Sequence, residues 1–298
     1  MRLLPFWRKK MKTSTEISSA TKILGEERAV EYCAKAGFDA WDFSMTEMFQ
    51  YDWAKKVAIK MEHPLFGNDY LKFARRLKQI GLDNGIICNQ SHAPFPACST
   101  EIRSYFKRAI ECTAEAGGNI CVIHPEAFST PEENAEMYLE LLPFAKEHGV
   151  KIATENMWAW NTEKGHAEPC ACSTPKNFLA HIEAVNDDDF VACLDIGHAE
   201  MKGLHTSAVD MILKLGKHVQ ALHIHDNDKW HDTHQIPFSM NIPFEEIVVA
   251  LKQIEYKGYF TLEANAYLNG YEESNVLGGL KELQQSVRRL ADMYEMKD

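Results

Sequence analysis

Phe190-Val191-Ala192-Cys193-Leu194-Asp195-Ile196-Gly197-His198 is an unbroken apolar run that stops on a carboxylate and then, after one short turn, on an imidazole. A run without polar alternation suits a strand covered on both faces, as in a parallel sheet. The same ending recurs along the chain. Val122-Ile123-His124, Ile152-Ala153-Thr154-Glu155, Leu222-His223-Ile224-His225 and Thr261-Leu262-Glu263 all end on residues that bind metals, and Ile86 to His92 does so more loosely. One such ending is ordinary. Its repetition at strand after strand implies that the strand ends converge on one point and that the point holds a cation.

Outward from this stretch, β-rich runs alternate with amphipathic helices. Strands are expected at 12–18, 38–45, 85–89, 119–124, 150–155, 190–195, 219–225 and 259–263. Helices are expected at 26–37, 68–80, 100–116, 130–148, 173–185, 207–217, 243–253 and 275–294. Gly37, Gly117 and Gly149 stand where helices should stop, and Ser129-Thr130-Pro131-Glu132-Glu133 reads as a helix start. Eight βα units close into a single (β/α)8 TIM barrel of the α/β class. A doubly wound open sheet would carry a glycine-rich phosphate loop after its first strand, and no G-x-G-x-x-G occurs. The barrel is expected over 12–298, with 1–11 as a disordered tail.

Composition narrows the partners. The 298 residues carry a formal net charge of −11, which repels phosphate backbones. The arginines fall in the N-terminal tail or inside expected helices, and none follows a strand. Nucleic acid is therefore not an expected partner. No run reaches the roughly 20 apolar residues of a membrane span, so no membrane partner is expected either. The 8 cysteines form no CxxC pair and no signal peptide precedes them, which suits a reducing, cytoplasmic setting. A homo-oligomer is compatible with this reading.

Glu155, Asp195, His225 and Glu263 end the fifth to eighth strands, neighbours in the barrel wall. Three carboxylates and one imidazole make a hard site for a divalent metal ion, Mn²⁺ before Mg²⁺, Co²⁺ or Zn²⁺. His223 is expected to point away from His225, so that only one of the two faces the site. His92, His124, His198, Asp232 and His234 are expected to surround this core as ligands or hydrogen-bonders to substrate. Trp158, in Met157-Trp158-Ala159-Trp160, is a candidate to stack on a flat substrate face.

The ordered set Ser91-His92-Ala93-Pro94, Ile123-His124-Pro125, Thr154-Glu155-Asn156, Leu194 to His198, His223-Ile224-His225-Asp226, His231-Asp232-Thr233-His234 and Leu262-Glu263 resembles the xylose-isomerase-like TIM barrels. These include sugar isomerases and epimerases and endonuclease IV, and the resemblance covers essentially the whole chain. The epimerase branch, typified by D-tagatose 3-epimerase, implies one divalent ion on Glu155, Asp195, His225 and Glu263. It makes Glu155 and Glu263 the catalytic pair that exchanges a proton at carbon. A cation on a carbonyl and its neighbouring hydroxyl acidifies the C–H between them, and a carboxylate on each face removes and returns the proton. His198 would touch substrate oxygens.

The endonuclease IV branch implies three zinc ions on nine ligands, matched by His92, His124, Glu155, Asp195, His198, His225, Asp232, His234 and Glu263. Charge and arginine placement favour the sugar reading over this phosphodiesterase. The chain also departs from its relatives. Ile236 to Asn241 replaces a Pro-Gly-x-Gly segment, and His231 stands where the epimerase branch places an arginine, six residues after the metal histidine. Phe95, Phe128, Trp230 and Phe238 in expected loops suggest a substrate with some apolar surface. Metal-assisted β-elimination on an oxidised glycoside is thus a third chemistry. The expected function is a metal-dependent isomerase or epimerase acting on an unphosphorylated small carbohydrate.

Overall fold

The computed structural model describes residues 10–296, so most of the expected tail lies outside the described residues. Met11, assigned to that tail, is buried, and its N–H donates to Glu295 Oε1 (2.8 Å).

Eight strands form the barrel wall: β1 (Thr13–Thr15), β2 (Ala40–Ser44), β3 (Ile87–His92), β4 (Ile120–Val122), β5 (Lys151–Glu155), β6 (Phe190–Asp195), β7 (Val219–His223) and β8 (Phe260–Leu262). From β2 to β7 consecutive strands pair in parallel as one sheet, and β8 pairs in parallel with β1. Parallel bridges between Glu16 and Asp42 and between Ile224 and Leu262 close the two seams. The helices are α1 (Glu26–Ala36), α2 (Tyr70–Asp83), α3 (Phe106–Ala116), α4 (Pro131–Glu147), α5 (Pro175–Val185), α6 (Ala208–Leu215), α7 (Phe244–Gln253) and α8 (Val276–Glu295). The start of α4 is a full capping box: Thr130 Oγ1 accepts from the Glu133 N–H and Glu133 accepts from the Thr130 N–H. Gly37 ends α1 in the left-handed region (φ 99°), where a side chain would be strained.

Burial shows which way each strand residue faces. Cys121, Ile152, Ala192, Leu194 and Leu222 pack outward into the main core with the helices. Ile120, Val122, Ala153, Val191, Cys193 and Ala221 form a separate small cluster that fills the barrel interior. Side chains alternate along a strand, so the next inward positions are two residues further on. These are His124, Glu155, Asp195 and His223, at the C-terminal ends of β4 to β7. These candidate metal ligands are thus a continuation of the interior core, raised one layer above its apolar floor.

The sequence expectations differ from the structure chiefly in the loops. Helix 100–116 is broken into Thr100–Arg103 and α3, and a short helix, Ser18–Leu24, follows β1. Two antiparallel hairpins decorate the barrel: Phe49–Asp52 with Val57–Lys60 after β2, and Ala159–Asn161 with His166–Glu168 after β5. The first packs Phe49, Tyr51 and Ala58 against the core while Val57 and Ile59 stay exposed, and the second buries Ala167 alone, so neither shows a clean apolar alternation. Among the described residues, no helix is long and apolar enough to cross a membrane.

His181 in α5 is a buried histidine away from the strand ends. Its Nδ1 lies 2.8 Å from the Asn177 carbonyl and its Nε2 3.2 Å from Asn134 Nδ2. Burial lowers its pKa from the ordinary 6.5. The folded state therefore prefers the neutral ring. The associated stability is complete above pH 6.5 and is lost as pH falls below it. Denaturant melts of His181→Gln should show a shallower loss of stability below pH 6.5 than the parent; identical slopes would contradict this assignment.

Candidate metal centre

The strand ends and one folded-back loop build the site. Asp195, the last residue of β6, caps the short helix Ile196–Ala199 by accepting the His198 N–H at Oδ1 (2.6 Å). Asn156, just past β5, exchanges two bonds with the Asp195 backbone, both 2.8 Å, and so ties the ends of β5 and β6 together. Beyond β7 the chain turns back on itself. Asp226 accepts N–H groups from Met240 (2.8 Å) and Ile242 (3.1 Å), and its backbone pairs with Gln235. This loop carries Asp232 and His234 over the barrel mouth, where His234 Nδ1 donates to the Glu263 carbonyl (2.7 Å).

Three groups of side chains bring metal-binding atoms within 4.8 Å of one another: Glu155, Asp195, His223 and Glu263; His198, His225, Asp232 and His234; and His92, Glu155 and His223. In the first, His223 Nδ1 lies 3.1 Å from Glu155 Oε1 and 3.6 Å from Glu263 Oε2. Yet His223 Nδ1, Glu155 Oε1 and Asp195 Oδ2 are buried without a hydrogen-bond partner. Three orphaned polar atoms converging in one place are costly. A divalent cation among them would satisfy all three, so the residues fit such an ion. In the second group Asp232 Oδ2 lies 3.1 Å from both His198 Nε2 and His234 Nε2. In the third region His92 Nε2 sits 2.9 Å from His124 Nε2, which is 3.2 Å from Glu155 Oε2.

The expected opposition of His223 and His225 is incorrect. Residues two apart on a strand share a face, and both histidines are inward and fully buried. Their depths differ. The β6–β7 register places His223 beside Asp195, whereas His225 stands two residues higher, about 6–7 Å along the strand direction. His223 therefore joins the three carboxylates, and His225 joins the upper group. His225 stacks on His234 (ring centroids 3.8 Å, 16°) and reaches Asp195 Oδ1 (3.1 Å). Gly197 makes that position available: a Cβ there would fall 1.9 Å from His225 Cε1.

Electrostatics separate the two glutamates. Burial acts to raise Glu155, but His223 and His124 beside it hold its carboxyl well below the usual range. Burial pushes Glu263 up to about 8 against the opposing pull of His223. In the upper group burial disfavours a charged His234, yet Asp232 raises it to about 10. Burial, aided by His124, drops His92 to about 3.

The other singled-out residues fall as follows. His92, His124, His198, Asp232 and His234 all converge on the mouth. Trp158 packs by Met201 and Leu204, and its Nε1–H donates to Asp232 Oδ2 (3.3 Å). Trp160 is half exposed and stacks on His231, Phe95 lies 5.1 Å from the His124 ring, and Lys202 covers Trp230. Phe238 turns away, under Arg289 of α8. Sequence reasoning missed Asn156, Gly197 and Asp42 as structural parts of the site. Asn156 directly follows Glu155 and Gly197 lies between Asp195 and His198, and those adjacencies were the available signal.

A closed eight-strand barrel with histidines and carboxylates at its C-terminal mouth defines the class. The model of the xylose isomerase-like TIM barrel matches residues 30–293, and the chain belongs to that family. An uncharacterised protein of Methanocaldococcus jannaschii is 27% identical over 204 residues, 62% of this chain and 67% of that protein. Among solved structures, a D-tagatose 3-epimerase-like protein superposes with TM-score 0.70 at 20% identity, covering 96% of this chain and 98% of its own. D-psicose 3-epimerase from Clostridium cellulolyticum H10 gives 0.68 at 15%, with 94% and 99% covered. The 3-keto-D-glucoside 4-epimerase of E. coli gives 0.67 at 14%, with 94% and 100% covered. At these identities the likeness concerns the fold, and the structural neighbours are sugar epimerases.

Proposed function

We propose that the protein is a divalent-metal-dependent epimerase or isomerase of an unphosphorylated sugar or sugar derivative. The observation that carries the proposal is the convergence of Glu155, Asp195, His223 and Glu263 with their buried, unpartnered atoms. These four would hold the ion, His223 replacing His225 in the expected set. When bound, the ion acidifies the C–H next to a substrate carbonyl. Glu155 and Glu263 come from β5 and β8, on different sides of the mouth, and each holds a carboxylate oxygen near His223 Nδ1. One removes the carbon-bound proton and the other returns it, which inverts the centre. His198, Asp232 and His234 offer donors and acceptors for sugar hydroxyls, and His92 and His124 do so from the opposite rim. Counted from His223, the sixth residue onward is Lys229, a cation paired with Glu200 (2.9 Å), rather than His231. Mn²⁺ and a cytoplasmic setting remain parts of this proposal, supported by ligand hardness and composition.

A second reading is favoured by one observation: eight of the nine residues matched to endonuclease IV, all but His124, gather with His223 into three groups rather than one. Elemental analysis of the purified protein distinguishes the two. One divalent ion per chain is expected. Three zinc ions per chain would overturn the single-ion reading in favour of a phosphodiesterase. Elimination on an oxidised glycoside uses the same first proton abstraction and would appear as an unsaturated product.

A further inference from the structure

Below the candidate cation group lies a layer of buried polar side chains that the proposed chemistry does not use. Ser14 Oγ donates to Asn89 Oδ1 (2.6 Å), Asn89 Nδ2 donates to Thr261 Oγ1 (3.1 Å), and Gln90 Nε2 donates to Asp42 Oδ2 (2.9 Å). Asp42, on β2, is fully buried, and its Oδ1 has no hydrogen-bond partner. A carboxylate in such a place needs a donated proton or a positive neighbour. Glu16, paired with it across the β1–β2 seam, is a second acid whose carboxylate is taken up by Ser18 and Ser19. The basic group that faces Asp42 is His223, whose Nε2 lies 3.5 Å from Oδ2. The other ring nitrogen, Nδ1, faces Glu155 and Glu263. His92 stacks on the same ring (5.5 Å, 14°) and restricts its rotation.

We infer that Asp42 is a positioning residue that keeps the proton of His223 on Nε2 and so presents the Nδ1 lone pair to the cation group. A histidine that ligates a metal through one nitrogen commonly gives its other N–H to a carboxylate, which fixes both tautomer and ring orientation. Here the carboxylate comes from β2, across the barrel from β7, so the interior itself orients the ligand. Gln90 holds Asp42 in turn. The assignment rests on the cation reading of Glu155, Asp195, His223 and Glu263.

The test uses the full chain. Mn²⁺ binding is measured by calorimetry for the parent and for Asp42→Asn, which preserves shape and removes the charge. ¹⁵N spectra of the imidazoles are recorded on the Zn²⁺-loaded parent. The tightest Mn²⁺ step should weaken about 10- to 100-fold in Asp42→Asn. The spectra should show His223 protonated on Nε2 and coordinated through Nδ1. A parent His223 protonated on Nδ1, or unchanged Mn²⁺ affinity in a folded Asp42→Asn, would overturn the assignment while leaving the cation site standing. A parent that binds no divalent ion would instead remove the cation reading and this inference with it. Should Asp42→Asn not fold, the parent spectrum alone decides.

Discussion

Glu155→Gln and Glu263→Gln are each expected to lower turnover about 100- to 10,000-fold on the true substrate, the range typical of a lost acid or base. Glutamine keeps the size of each side chain and one oxygen, but it cannot accept and return a proton. The two variants should differ in cation binding. Glu155 presents both oxygens to the site, Oε1 toward His223 and Oε2 toward His124, so an amide in its place still offers one ligand atom. Partial retention of the ion with loss of turnover would separate the proton-transfer role from the ligand role. Steady-state kinetics paired with elemental analysis of each variant provides the check. Full turnover in both variants would rule out the two-carboxylate mechanism.

Gly197→Ala carries the second large effect. Gly197 is inside the short helix after β6, where alanine is the better helix former, so local backbone preference favours the substitution. The added Cβ nevertheless meets His225 at 1.9 Å from Cε1 and 2.3 Å from Nε2. The ring must leave its stack on His234 and its contact with Asp195. Overpacking of this kind costs about 1–3 kcal/mol. Activity should fall with stability, because His225, together with the His198 N–H, links Asp195 to the upper group. A cycle with His225→Ala tests the cause: Gly197→Ala should cost much less stability when the ring is already gone. Equal costs in both backgrounds would place the origin elsewhere.

Particular elements explain what was legible in the sequence. Residues 190–195 form the expected strand with the same limits, because an apolar run closed by Asp195 and a helix turn leaves little ambiguity. The same kind of signal recurs at β4, β5, β7 and β8, whereas β1 (Thr13–Thr15) carries no apolar residue and is legible only from its place before the first helix. The choice between His223 and His225 is not. Alternation places both inside, but depth depends on the stagger between neighbouring strands, and that stagger is a property of the closed barrel. Asp42 is hidden in a similar way: on β2 it looks like any inward polar residue, and its relation to His223 exists only across the interior. The approach of Asp232 and His234 depends on Asp226 folding the loop back through backbone N–H groups. The hairpins after β2 and β5 are short and mix buried with exposed apolar residues, Phe49 against Val57 and Ile59 in the first, and so lack the periodic signal.

In the proposed reading the upper group shapes what the site accepts. His198 Nδ1 is held by the Asn156 carbonyl (2.9 Å) and Trp158 is tied to Asp232, so these side chains are positioned before any substrate arrives. Such preorganisation suits recognition of hydroxyl groups at fixed positions.

The central claim is that Glu155 and Glu263 exchange a carbon-bound proton next to a carbonyl. It is tested most directly by incubating the Mn²⁺-loaded protein in D₂O with a panel of ketoses, cyclic inososes and oxidised glycosides, and following deuterium incorporation by NMR. The account predicts deuterium at the carbon adjacent to the carbonyl of the true substrate, and its loss in Glu155→Gln and Glu263→Gln. Turnover of a substrate with no deuterium entering that carbon would contradict it.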